Sequence, residues 1–238
     1  MRLSLFRSAC VLVLVLLVMP AVFAQEVQHE AVENPDAILV PSDFTKIVKD
    51  AREFLKTETE SFLNGTAKKT EFETTQDFEK RVATMRQRYL DNVVKYSTDK
   101  KFDKREFGVI FKANLVSYDA DSKTYAITSN TTVEIPYDIP YLQIGMTNNA
   151  LVALTDSVAR GYRSKTMYLK MTPPLHYEVP MDLAKAAKDA QGDLMFRVTL
   201  TVDMIQTNFK NLAQMTIAAH HIQLLNPKKN IVYWESNL

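Results

Sequence analysis

Met167, Met171, His176 and Met181 fall within fifteen residues and form the densest run of soft metal ligands in the chain. Three thioethers and one imidazole suit Cu(I), because polarisable sulfur matches a soft cation. This defines one functional reading, a small-ligand or Cu(I) carrier. The plainer reading is that Met167 and Met171 lie on one face of a strand, where methionine fills gaps in a core. No dense methionine tract accompanies them. The adjacent pair His220-His221 lies in an expected strand, whose neighbours face opposite sides. The two rings are therefore not expected to share a metal. Zinc needs a tetrahedral set of Cys, His or carboxylate ligands, and the spacing offers none.

Tyr137 and Tyr141 bracket a proline-flanked loop, Pro136-Tyr137-Asp138-Ile139-Pro140. Tyrosine is enriched where proteins meet partners, so this loop, or else the pair of amphipathic helices, is the expected partner-binding surface. Packing against the core is the ordinary alternative for the same rings. Asp119-Ala120-Asp121-Ser122-Lys123 resembles half a calcium loop, but lacks the downstream glycine and bidentate glutamate. It reads as a turn.

Catalytic patterns are missing from the sequence. There is no G-x-S-x-G elbow. The only cysteine is Cys10, and five glycines leave no glycine-rich phosphate loop or dinucleotide fingerprint. No catalytic residue and no cofactor is expected, and the chain leans away from being an enzyme. A hydrolase with a dispersed active site is the remaining enzymatic alternative, since spacing alone cannot locate paired carboxylates.

The first twenty-four residues supply the location. Arg2 and Arg7 give a basic start, Ala9 to Met19 is apolar, and Pro20 precedes Val22-Phe23-Ala24. That is the layout of a secretory signal peptide, with cleavage expected between Ala24 and Gln25. The apolar run is short for a spanning helix, and acidic residues follow it instead of a basic stop-transfer flank. No spanning segment is expected after cleavage. Cys10 stands at the wrong end of the run for lipid attachment, and it leaves with the signal. A thiol-free exported chain of this size fits a bacterial periplasm better than a disulfide-stabilised secreted domain.

The whole chain carries a formal charge of +1. Loss of Arg2 and Arg7 leaves 27 basic side chains against 28 acidic ones. A nucleic-acid binder would show a basic excess, so nucleic acid is not an expected partner. The leading expectation is an exported protein, periplasmic or else secreted, that is non-enzymatic and binds a protein or cell-envelope partner.

The elements that must position these residues follow from periodicity. Residues 25–41 are polar and acidic and read as a flexible lead-in. Phe44, Ile47, Val48, Ala51, Leu55 and Phe62 recur at helical spacing, with Ser42 or Asp43 as cap and Asn64-Gly65 as stop. Phe78, Val82, Met85, Tyr89 and Val93 mark a second helix capped by Thr74 or Thr75. Two such helices joined by a short polar connection predict a helical hairpin over 42–98. From Glu106 the period becomes two. Phe107 to Val116 and Tyr125 to Val133 predict a β-hairpin. Residues 141–165 read as either a helix starting at Asn149 and stopping at Gly161, or an irregular connection. Strands are expected at Met167–Met171, Leu175–Val179 and Leu194–Ile205, with a short helix from Leu183 to Ala190. A last hairpin joins Met215–Leu225 to Ile231–Trp234. Helices and strands are segregated, so the class is α+β: two amphipathic helices, then a mostly antiparallel sheet of about six strands over 105–238.

Overall fold

In this computed structural model the described residues are 38–136, 144–146, 152–159, 162–172, 174–204 and 212–238. The described chain begins with a two-residue strand, β1 (Ile38–Leu39), which pairs in parallel with a later strand. Leu39 is fully buried. The end of the expected lead-in is therefore part of the fold.

Helix α1 (Pro41–Thr66) starts one residue before the expected caps. Val40 holds the cap position and offers no side-chain hydrogen bond. Proline suits the first helical position because its missing N–H would have no helical partner there. At the other end, Asn64 and Gly65 lie inside the last turn instead of stopping it. Gly65 lies against the end of the Met85 side chain, which would have to shift to admit a Cβ there. Helix α2 (Thr75–Asp99) is capped as expected, with the Asp77 N–H donating to Thr74 Oγ1 at 3.1 Å.

The two helices are joined by aromatic stacking. Phe54 lies on Tyr96 with ring centroids 4.0 Å apart, and Phe62 on Tyr89 at 5.3 Å. The Tyr96, Phe102, Phe107 and Phe44 rings then meet edge to face in sequence, linking the hairpin to the sheet. Along α1, buried side chains run from Phe44 to Phe62. On α2 they are Tyr89, Val93 and Ser97, all in its second half. Phe78, Val82 and Met85 continue the same apolar face only half-buried. Less of the protein covers the hairpin towards its tip.

The expected strand Phe107–Val116 changes sheets at Ala113. Its first part is β2 (Phe107–Lys112) and its second is β3 (Asn114–Asp119). The returning strand divides likewise into β4 (Thr124–Thr128) and β5 (Thr132–Pro136). β3 and β4 form the predicted hairpin, and the Asp119 carboxylate accepts from the Asp121 and Ser122 N–H groups in its turn. The turn reading of the aspartates thus holds. Next come β6 (Ile144–Met146), β7 (Val152–Ala159), β8 (Tyr162–Met171) and β9 (Leu175–Glu178). Both expectations for this stretch, helix and irregular connection, are therefore overturned at Val152–Ala159. Val152, Leu154 and Val158 also share strand parity, and antiparallel pairing of β7 with β8 decides the conformation. Helix α3 (Met181–Asp189) precedes β10 (Met195–Asp203), β11 (Met215–Asn226) and β12 (Ile231–Asn237).

The main sheet has the order β1-β2-β10-β11-β12, with β6 also pairing to β11. Its β2–β10, β10–β11 and β11–β12 pairs are antiparallel. Two three-stranded antiparallel sheets complete the described strands: β3-β4-β9 and β5-β8-β7. The class is α+β, as the segregation of periodicities predicts. Phe107, Val109 and Phe111 face α1 and align with Leu200, Val198 and Phe196 across the β2–β10 register. These side chains, with Ile217, Ile222 and Leu224 of β11, form the centre of the core. Among the described residues, no helix is long and apolar enough to cross a membrane.

Candidate functional site

The α1–α2 connection is short, polar and held by one guanidinium. Arg81, on the second turn of α2, reaches back into it. Its Nε donates to Glu73 Oε1 at 2.7 Å and its Nη2 to Glu73 Oε2 at 2.8 Å. This fork-on-fork geometry fixes both groups in direction as well as distance. The same guanidinium donates to the Lys68 carbonyl at 2.9 Å and to the Gly65 carbonyl at the end of α1. It also lies over the Phe78 ring, 5.1 Å from the centroid. Glu73 in turn accepts from the Thr70 N–H at 3.1 Å. These contacts, led by the hydrogen bonds from Arg81, hold the Glu73 carboxyl down at about 2.

This clasp presents Phe72, which is 94 % exposed. A phenyl ring in water on a loop tied by so many hydrogen bonds is an unusual use of an aromatic side chain. Burying it elsewhere would release apolar surface from water. Its two neighbours, Glu71 and Glu73, keep the backbone polar on either side.

Below the tip, the facing helices leave a cleft of about 140 Å³, lined by Glu58, Ser61, Phe62, Met85, Arg88, Tyr89 and Asn92. Phe62 and Tyr89 are buried and form its apolar wall. The Tyr89 hydroxyl bonds with Thr59 at 3.2 Å and accepts from the Ala213 N–H at 2.8 Å. Glu58 accepts from Asn92 Nδ2 at 2.8 Å, which fixes its carboxylate. Arg88 is exposed, and makes no ion pair or hydrogen bond among the described residues.

The residues singled out by sequence are distributed differently. Tyr137 and Tyr141 lie outside the described residues. Met167 and Met171 belong to β8, His176 to β9, and Met181 opens α3. Met171 is buried, whereas His176 and Met181 are exposed. The expectation for His220-His221 is corrected. A register shift in the β10–β11 ladder pairs Leu200 with Ala219 and Thr199 with His221, so His220 is an extra residue in the strand. The bulge inverts the alternation. Ala219 and Ile222 are buried, and both histidines between them face away from the core. Their partners are separate: His220 Nε2 lies 2.6 Å from Thr201 Oγ1, and His221 Nε2 lies 3.7 Å from Glu235 Oε2. Among the described residues, no group of three or more His, Cys, Asp or Glu side chains is arranged to hold a metal.

Phe72 and Glu73 escape periodicity because the connection contributes nothing to a helical or strand repeat, and Arg81 because it lies off the apolar face of α2. The signal that could have found them is an aromatic residue alone in a polar inter-helix loop. Comparison of the chain with family models, with curated proteins and with solved structures returns no match.

Proposed function

We propose that this chain is an exported, non-enzymatic protein that binds a protein partner of the cell envelope through the tip of its helical hairpin. The observation that carries the reading is Phe72, exposed on a loop that Arg81 and Glu73 hold in place. Partner interfaces draw most of their affinity from a few aromatic or arginine anchors. An anchor fixed before contact loses less conformational entropy on binding. Export rests on the basic, apolar and proline-containing segment up to Ala24. Periplasmic residence follows from that segment and from a chain without thiols after its removal.

The test is affinity capture from envelope extract with three forms: the unaltered protein, Phe72→Ser, and Tyr137→Ala/Tyr141→Ala. A discrete partner recovered by the first and third forms, and lost by the second, supports the hairpin tip. Equal recovery by all three overturns it. Sequencing the N-terminus of the protein from fractionated cells tests export, with Gln25 as the expected first residue.

A further inference from the structure

We propose that the partner protein receives Phe72 in an apolar pocket without charged groups, sized for one phenyl ring. The proposal rests on the hairpin-tip reading and adds the chemistry of the receiving surface. The ring is 94 % exposed, whereas the polar groups around it already have partners within the chain. Glu73 accepts from Arg81 through both oxygens and from the Thr70 N–H. Asp77 accepts from Thr74 Oγ1 at 2.6 Å, and Lys69 Nζ donates to Thr75 Oγ1 at 3.3 Å. Arg81 also donates to the carbonyls of Gly65 and Lys68. The tip therefore offers a partner few polar groups that still need a bond.

Charge does not guide the contact either. From Lys68 to Arg81 the chain carries four basic and four acidic side chains. Lys68 and Glu71 make no ion pair or side-chain hydrogen bond among the described residues, and they are of opposite sign. A tip without net charge has no field to steer a charged surface towards it. A segment that docks on anionic lipid would show an excess of lysine and arginine, which is missing here. What is left to recognise is the ring, and taking it out of water favours apolar surroundings.

The test has two parts. Purified protein with 13C-labelled phenylalanine rings, the Phe72 signal being assigned by Phe72→Ser, is titrated with β-cyclodextrin, an uncharged apolar cavity that admits one ring. The expected result is a saturable shift confined to Phe72, with affinity equal within about twofold at about 50 and about 500 mM salt. No such shift, or one lost at the higher salt, overturns the proposal. The second part is capture from envelope extract at the same two salt concentrations. The partner should be held at both, equally well by Lys68→Gln and Glu71→Gln, within about tenfold by Phe72→Leu, and at least about thirtyfold less by Phe72→Ser. Capture that depends on Phe72 but fails at high salt or in either charge variant overturns the uncharged pocket alone. Failure of Phe72→Leu does the same, in favour of a cation over the ring. Sedimentation with phosphatidylcholine vesicles that Phe72→Ser abolishes overturns it in favour of a lipid surface. Capture equal in Phe72→Ser overturns the hairpin-tip reading, and the pocket falls with it.

Discussion

The Glu73 carboxyl shows how a single side chain sets the conditions under which the hairpin tip stays in place. Its ionisation is favoured by the Arg81 guanidinium, so its value in the fold is about 2 against an ordinary 4.5. A depressed carboxylate contributes order that is complete above about 4.5 and is lost as pH falls towards 2. Hydrogen exchange at the Thr70 amide, which donates to Glu73, should accelerate across that window beyond the intrinsic rate. In Glu73→Gln the extra acceleration should vanish. Tyr89 tests a different effect. It is 2 % exposed, and its hydroxyl accepts from the Ala213 N–H while bonding with Thr59. Tyr89→Phe keeps the stacked ring and strands those groups, so it should cost about 1–3 kcal/mol. Urea unfolding measures that loss; a midpoint equal to the unaltered protein's would contradict it.

At the scale of elements, α2 depends on its start. Thr74 accepts from the Asp77 N–H and also donates to the Asp77 carboxylate at 2.6 Å. Thr74→Ala removes the cap and should cost about 0.5–2 kcal/mol in thermal or urea unfolding. Because no residue in the first half of α2 is buried, the loss should appear first as faster amide exchange near Phe78. The helices themselves were legible from spacing, since Phe44, Val48, Leu55 and Phe62 must all turn to one side. The strand boundaries were not. Alternation from Phe107 to Val116 continues unbroken through Ala113, although β2 and β3 join different sheets. A period of two records which side chains share a face and carries no information about the neighbouring strand. The bulge at His220 illustrates the converse: one inserted residue reverses the faces assigned by counting.

At the scale of the whole molecule, stability depends on the layer between α1 and the main sheet. Phe111 and Phe196 are opposed in the β2–β10 register and fully buried. Phe196→Ala should destabilise the protein by about 3–5 kcal/mol, read by urea unfolding, because it combines lost transfer energy with a cavity. Phe72→Ser should leave the unfolding midpoint within about 0.5 kcal/mol of the unaltered protein, since an exposed ring contributes little to the fold. That contrast separates a residue kept for packing from one available for contact. The amino-acid sequence by itself determined the segregation into two amphipathic helices and a strand-rich remainder, because burial demands a periodic face in each element. Tertiary structure alone decided where strands change sheets, which way the histidine pair faces, and that Arg81 holds the loop bearing Phe72. Those outcomes depend on groups from different elements coming within hydrogen-bonding or packing distance, which no local period encodes.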